Sequence, residues 1–148
     1  MIHLRTMLFA ASLAMFPATN VFANAQSISC RLLDVMSQNK VSEVESAVSE
    51  FSSRWLAESR EGAITQLTSL LEPLPFVGGS LHRIAKLGED FEEHVMLLRL
   101  REGEVAAMRL RYEWSPGGPA LTGIDFKRKI ADLSTVSFIG VPKEITCP

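Results

Sequence analysis

Alternation of apolar and polar side chains between residues 104 and 114 constrains the fold of this chain more than any other feature. From residue 106 on, the even positions are all apolar or aromatic: Ala106, Met108, Leu110, Tyr112 and Trp114. Most of the odd positions carry a charge. A period of two predicts a β-strand that buries one face. Pro-Gly-Gly-Pro at residues 116–119 predicts the turn that ends this strand.

Residues 120–127 continue the alternation beyond this turn and predict an antiparallel partner strand. One register satisfies both faces of the hairpin, with these pairs: Trp114 with Ala120, Leu110 with Ile124, Met108 with Phe126, and Arg109 with Asp125. The last pair joins opposite charges on the outer face, which stabilises a sheet by about 0.2–1 kcal/mol. We therefore predict a β-hairpin here.

A third strand over residues 93–101 extends the same apolar face if residues 102–104 form a three-residue turn. The pairs are then Leu98 with Met108, Met96 with Leu110, and His94 with Tyr112. One long helix over residues 90–114 is the alternative, because Glu, Leu, Met, Arg and Ala favour helices. Gly103 would lie inside that helix at a cost of about 1 kcal/mol, so the strands are favoured.

The first half of the chain carries a helical period instead. Apolar side chains recur at steps of three and four along one stripe: Val41, Val44, Val48, Phe51 and Trp55. This spacing predicts a helix over residues 42–59. A second helix is expected over residues 63–71, ended by the prolines that follow, and a further turn of helix over 31–36.

Weaker signals flank these elements. Residues 74–80 (LPFVGGS) predict a turn-rich loop, and Ser80 could begin a short helix that Gly88 ends. Residues 135–141 (TVSFIGV) are rich in β-branched side chains and predict a final strand. The chain from Pro142 onwards is then a C-terminal tail.

The N-terminal residues match a cleavable export signal. Arg5 supplies a positive charge, residues 7–16 form an apolar run that Pro17 ends, and Ala23-Asn24-Ala25 places small residues before a cut. The run is half of the about 20 residues that a membrane span needs. We expect a signal peptide at 1–25, cleavage after Ala25, and one domain at 26–148. That domain would be periplasmic or secreted, without stable membrane insertion.

The two cysteines, Cys30 and Cys147, lie close to the two ends of that domain. Two thiols in an exported chain usually form one disulfide bond. Closing almost the whole domain into one loop stabilises it by about 4–5 kcal/mol in the chain-entropy model. Free or intermolecular thiols are the alternative, and a redox role is less favoured because the chain has no Cys-x-x-Cys.

Together these elements predict an α+β fold, with N-terminal helices packed on a curved antiparallel β-meander of three or four strands. The element order and the sequence YEWSPGGPALTGIDFK at residues 112–127 resemble small exported domains of the nuclear-transport-factor-2-like (cystatin-like) superfamily. The resemblance covers about residues 42–130 and implies a sheet that wraps a helix as a cone. Enzymes of that superfamily commonly place Asp or His in the cone, but no residue here matches such a motif.

No motif in the sequence predicts catalysis, a metal site or a cofactor. Residues 89–94 (EDFEEH) are the densest polar cluster, yet their spacing matches no metal-ligand pattern. His94 and Tyr112 would meet on the apolar face, and together with Trp114 they are the candidate ligand-binding residues. Packing in the core is the competing interpretation for all three.

A formal net charge of −2 offers no case for nucleic-acid binding. Several basic side chains would lie on the outer sheet face: Arg99, Arg101, Arg109, Arg111, Lys127 and Lys129. They could attract an acidic partner or lipid headgroups, although long basic side chains usually serve as solvated cover. A free edge strand near residues 93–101 would also allow a homodimer.

The function that the sequence favours is an exported, non-catalytic module that binds a protein partner or a small ligand. One alternative is a small enzyme with a site in the sheet cone near His94 and Tyr112. The other is an accessory subunit of an envelope assembly.

Overall fold

The computed structural model describes residues 24–52, 54–71, 76–128 and 141–148. Within these ranges three helices come first: α1 (Ala25–Ser37), α2 (Val41–Phe51) and α3 (Ala57–Leu71). Five strands follow: β1 (Phe76–Leu87), β2 (Phe91–Leu100), β3 (Val105–Ser115), β4 (Gly118–Lys127) and β5 (Lys143–Ile145). They form an antiparallel sheet in the order β4-β3-β2-β1-β5. The predicted α+β class, with helices ahead of a meander, is confirmed.

The helices lie on one face of the sheet, where α1 contacts β1, β2 and β4. Both layers contribute fully or almost fully buried apolar side chains to the core, among them Ile28, Leu32, Met36, Leu67, Leu81, Met96, Met108, Leu110 and Leu121. α2 packs against α1, and α3 packs against α2. The core therefore lies between α1 and the central strands.

The β3–β4 hairpin has the predicted register over most of its length. Arg109 pairs with Asp125, and Leu110 pairs with Ile124. A β-bulge then leaves Thr122 out of the pairing, so Trp114 lies opposite Pro119 rather than Ala120. The bulge places Leu121, instead of the threonine hydroxyl, on the buried face beside Tyr112.

The β2–β3 strands are confirmed, but the predicted register is wrong by two residues. Met96 pairs with Met108 and His94 with Leu110, so Tyr112 lies opposite Glu92. The turn comes earlier than expected because Gly103 has a φ of 88°. A three-residue hairpin loop needs a left-handed residue at its last position, which glycine adopts readily. A shift of two leaves every side chain on its predicted face.

The strand β1 is the largest departure from expectation, since residues 76–87 were predicted as a loop and a short helix. Leu81, Ile84 and Leu87 do have helical spacing, but a β-bulge between Arg83 and Ala85 interrupts the alternation. Leu81 lies in the main core, whereas Ile84, three residues further along and therefore on the other face of the strand, joins Val95 and Ala107 in a smaller cluster. A bulge hides a strand from any test based on strict alternation.

The helical stripe over residues 41–55 also divides differently from the prediction of one helix over 42–59. α2 ends at Phe51, where the buried Ser52 hydroxyl donates to the carbonyl of Val48 at 2.6 Å. The hydroxyl shares this carbonyl with the Ser52 backbone amide, and serine back-bonding of this kind weakens and bends a helix. α3 then begins at Ala57, earlier than the expected residue 63, and α1 extends well beyond the expected turn at 31–36.

Both chain ends of the fold meet at a disulfide bond between Cys30 of α1 and Cys147, as predicted. Their Cα atoms lie 5.5 Å apart, within the usual range for a bridge. The segment expected to be only a tail contains β5, which pairs with residues 81–83 of β1. The strand predicted over 135–141 lies largely outside the described residues, and Val141 is not in a strand.

The sheet order removes the edge strand that the sequence suggested for a homodimer. Residues 93–101 belong largely to β2, which pairs with β1 on one side and β3 on the other. Within the described residues one edge is β4, and the other is the short β5 together with the parts of β1 that β5 does not pair with. Pro119 lacks an amide hydrogen and Thr122 is bulged, and both features disfavour the addition of another strand to β4.

Candidate functional site

Four polar side chains from three elements meet between α1 and the sheet, and we call them the buried network: Ser29, Glu92, His94 and Tyr112. The Ser29 Oγ atom lies 2.7 Å from His94 Nδ1 and 2.6 Å from the Tyr112 hydroxyl. His94 Nε2 lies 2.8 Å from Glu92 Oε1. Glu92 and His94 are two residues apart on β2, so they point to the same face.

The hydrogen bonds of the buried network have one consistent direction. A carboxylate can only accept hydrogen bonds, so the N–H group of His94 Nε2 donates the hydrogen bond to Glu92. His94 Nδ1 is then the acceptor in the neutral ring, and it receives the Ser29 hydroxyl hydrogen. The Ser29 oxygen in turn accepts from Tyr112. Every side chain is therefore paired, as buried polar groups generally are.

Burial holds the two titratable rings of the buried network in their neutral forms. Desolvation lowers the pKa of His94 below its ordinary value, and the hydrogen bond to Glu92 only partly opposes this shift. Desolvation also raises the pKa of Tyr112, against the effect of its hydrogen bond to Ser29. Neutral partners preserve the donor and acceptor order described above.

The glutamate links the buried network to charges at the rim of the sheet. Glu92 Oε1 lies 3.6 Å from the Arg83 guanidinium, and Glu92 Oε2 lies 3.9 Å from the Lys86 ammonium. Both basic side chains are partly exposed, whereas the glutamate side chain is only 7% exposed. The carboxylate is therefore neutralised from the solvent side and engaged by His94 from the inside.

The hydrogen bonds connect Ser29 to His94 and His94 to Glu92, which is the arrangement of nucleophile, base and acid in the catalytic triad of hydrolases. The solvent-exposed fraction of both Ser29 and His94 is 0%. A substrate carbonyl has to reach the serine oxygen, and that oxygen is enclosed and already accepts a hydrogen bond from Tyr112. In this conformation the buried network fastens α1 to β2 and β3.

The structure brings together two of the three predicted ligand-binding residues. His94 and Tyr112 have ring centroids 5.3 Å apart, and Ser29 bridges their polar atoms. Trp114 packs partly buried against the core and makes no hydrogen bond in the network. Sequence reasoning missed Glu92 and Ser29. The E-x-H spacing within a strand could have suggested Glu92, whereas no local signal pairs Ser29 with residue 94.

Most of the described basic side chains on the outer sheet face form ion pairs with acidic side chains. Arg109 and Arg111 both face the buried carboxylate of Glu93, at 2.6 and 3.9 Å. Lys127 lies 3.2 Å from Asp125. Arg109 thus takes Glu93, rather than the predicted Asp125, as its closest carboxylate. Lys129 lies outside the described residues. The ion pairs of Arg109, Arg111 and Lys127 weaken the case for an acidic partner at this face.

A groove of about 590 Å³ runs along the solvent side of α1 and the C-terminal tail, and we call it the α1 groove. Ten residues line it: Asn24, Gln26, Ser27, Cys30, Arg31, Leu33, Asp34, Ser37, Cys147 and Pro148. The disulfide bond forms part of its wall. Its volume lies in the range of about 300–1,000 Å³ that is typical of ligand sites.

The charged side chains of the α1 groove already have partners. Arg31 pairs with Glu50 at 3.1 Å, and Asp34 pairs with Lys40 at 2.7 Å. The remaining polar groups are amides and hydroxyls. One of them, Gln26 Nε2, donates to the carbonyl of Thr146 at 3.1 Å. The charges on the side chains that line the groove are therefore balanced, and its other polar side chains can form hydrogen bonds.

Membrane spans and metal clusters are both absent from the described parts of the chain. No helix there combines the length and hydropathy that crossing a bilayer requires. No three His, Cys, Asp or Glu side chains within the same ranges are grouped as ligands for a metal ion.

Comparison of the chain with models of protein families, with curated proteins and with solved structures found no match. The resemblance to the nuclear-transport-factor-2-like superfamily therefore stays a prediction.

Proposed function

We propose that this protein is exported and acts as a non-catalytic binding module that uses the α1 groove. One observation carries the proposal. The side chains with catalytic chemistry are enclosed and paired with one another, whereas the groove on the solvent side of α1 is open, mixes polar with apolar side chains, and has its two charged side chains in ion pairs.

Export is supported by two independent features of the chain. The first residues combine a positive charge, a short apolar run and small residues before a cut, which is the pattern of a signal peptide. The disulfide between Cys30 and Cys147 favours an oxidising compartment. Cell fractionation followed by mass spectrometry without reduction tests both. Reduced protein in the cell interior with an intact Met1 would contradict export.

The chemistry of the α1 groove favours an uncharged, polar, extended ligand, and we propose a short peptide segment. Asn24 Oδ1 and Gln26 Nε2 are engaged within the chain, so the amide groups offered to a peptide backbone are the Asn24 Nδ2 donor and the Gln26 Oε1 acceptor. The contact between Gln26 and the Thr146 carbonyl is already a pairing of this type within the groove. Among the described residues, none that line the groove is aromatic, so they offer no ring for stacking on a sugar.

Nuclear magnetic resonance can test this proposal on the exported, oxidised protein. The probes are N-acetylated, C-amidated tetrapeptides of uncharged residues. Shifts should concentrate on the groove side of α1, around Ser27, Arg31 and Ser37. Ser37→Trp should fill the groove and weaken binding at least tenfold. Ser46→Trp, on the exposed side of α2, is the matched control and should bind as the wild type does. Equal weakening by both variants would contradict the site.

An enzyme is the competing function, because Ser29, His94 and Glu92 have the order of a hydrolase relay. A fluorophosphonate probe on the exported protein distinguishes the two. We expect no labelling of Ser29, since its oxygen is enclosed. Labelling that Ser29→Ala abolishes would refute the non-catalytic part of the proposal and leave export intact.

A further inference from the structure

We infer that the exported chain begins at Asn24, so that the leader is cleaved after Ala23 rather than after Ala25. This inference rests on the proposed export and concerns the position of the cut. The step is hydrolysis of the Ala23–Asn24 peptide bond by the leader-removing peptidase. Water adds across the bond, leaving a carboxylate on Ala23 and the α-amino group on Asn24.

Asn24 is the N-cap of α1. Its backbone is extended, with φ −92° and ψ 162°, and its side-chain Oδ1 accepts a hydrogen bond from the Ser27 amide at 2.7 Å. Its carbonyl accepts from the Ile28 amide at 3.2 Å and from the Ser27 hydroxyl at 2.9 Å. Asparagine is among the best N-cap residues because its side chain satisfies an amide that the helix leaves unpaired.

Ala25 also belongs to the fold. It is the first residue of α1, is 1% exposed, and packs in the main core. A cut after Ala25 would remove this buried residue together with the three hydrogen bonds of Asn24.

The residues that follow in α1 make the loss of its first turn more destabilising for the whole fold. Ser29 holds the buried network, and Cys30 forms the disulfide bond, both within one further turn of the helix. Gln26 contacts Thr146 of the C-terminal tail. Fraying that started at residue 26 would therefore reach the side chains that attach α1 to the sheet and to Cys147.

The sequence allows the earlier cut. Val21-Phe22-Ala23 places alanine directly before the bond and a short side chain two positions further back. Ala23-Asn24-Ala25 offers the same type of pattern two residues later. Leader recognition by itself therefore admits both bonds, and the requirements of the folded helix separate them.

The decisive experiment expresses the full chain with its own leader and identifies the N-terminal peptide of the exported protein by tandem mass spectrometry. We expect Asn24 as the first residue. Gln26 as the first residue would overturn this inference while leaving export in place. An intact Met1 would overturn export itself, so the two failures are distinguishable.

Two variants of the same full chain give an independent readout. Asn24→Ala removes the cap and should lower the Tm of the exported protein by about 2–8 °C. Asn24→Asp keeps a capping oxygen and should leave Tm within about 2 °C of the wild type. If the mature chain began at Gln26, both substitutions would be discarded with the leader. Identical Tm values for all three proteins would therefore refute the inference.

Discussion

Replacing Ser29 with alanine tests whether the buried network holds α1 on the sheet. The substitution removes an oxygen that accepts from Tyr112 and a hydrogen that His94 Nδ1 accepts. It leaves two fully buried groups without partners, since both rings have no solvent exposure. An unpaired buried polar group costs about 1–3 kcal/mol, so for two such groups we expect a loss of about 2–6 kcal/mol of unfolding free energy.

Ser52→Ala is the matched control, because Ser52 is an equally buried serine at the end of α2. Its hydroxyl donates to the Val48 carbonyl, which also accepts from the Ser52 amide at 3.0 Å. The carbonyl keeps a partner after the substitution, so the loss should be only about 0.5–1.5 kcal/mol. The comparison therefore separates unpaired groups from the removal of a buried hydroxyl as such.

Urea unfolding of the oxidised protein, followed by circular dichroism, gives the free energies. Tyr112→Phe alone should cost about 0.5–1.5 kcal/mol, because Ser29 keeps its bond to His94. In the Tyr112→Phe background, Ser29→Ala should cost about 1–3 kcal/mol less than in the wild type, since only His94 is then unpaired. A Ser29→Ala loss no larger than that of Ser52→Ala, or strict additivity with Tyr112→Phe, would refute the reasoning.

Three further predictions concern acid, the disulfide and two glycines. The pKa of His94 is lowered in the folded protein, so the unfolded chain takes up the proton first as the pH falls. The unfolding free energy should therefore be at its full value above about pH 6.5 and fall below it, by up to about 1.4 kcal/mol per pH unit. Urea titrations between about pH 5 and 7.5 measure this slope, which His94→Gln should flatten. Replacing both cysteines with alanine should cost about 4–5 kcal/mol, since the bridge spans a sequence separation of 117; a loss below about 1 kcal/mol would contradict the chain-entropy account. Gly79→Ala should destabilise by about 1–3 kcal/mol because its Cβ would lie 2.5 Å from the Leu97 carbonyl oxygen. Gly62→Ala, in an open position of α3, should stabilise by up to about 1 kcal/mol, and calorimetry on both variants checks the contrast.

Local pattern determined the second half of the fold from the sequence alone. Alternation specified which side chains of β3 face the core, and that assignment survives the register error of two residues between β2 and β3. On β4 the assignment holds for Ile124 and Phe126, whereas the bulge at Thr122 moves Leu121 onto the buried face. The disulfide was equally accessible, because two cysteines in one chain allow a single intramolecular pairing. These features depend on neighbours in the chain or on counting, so no packing information was needed.

Tertiary packing decided the rest. The apolar residues of β1 have helical spacing, and the segment contains two glycines. It forms a strand because β2 supplies its hydrogen bonds. The strand needs a glycine at Gly79, since Leu97 approaches this position too closely for a side chain. Ser29 and His94 are 65 residues apart, and they meet only because α1 crosses the sheet at β2. A periodicity reports which face of an element is buried, but not which distant element covers it. The candidate site consists of such distant contacts, so it became visible only in the folded structure.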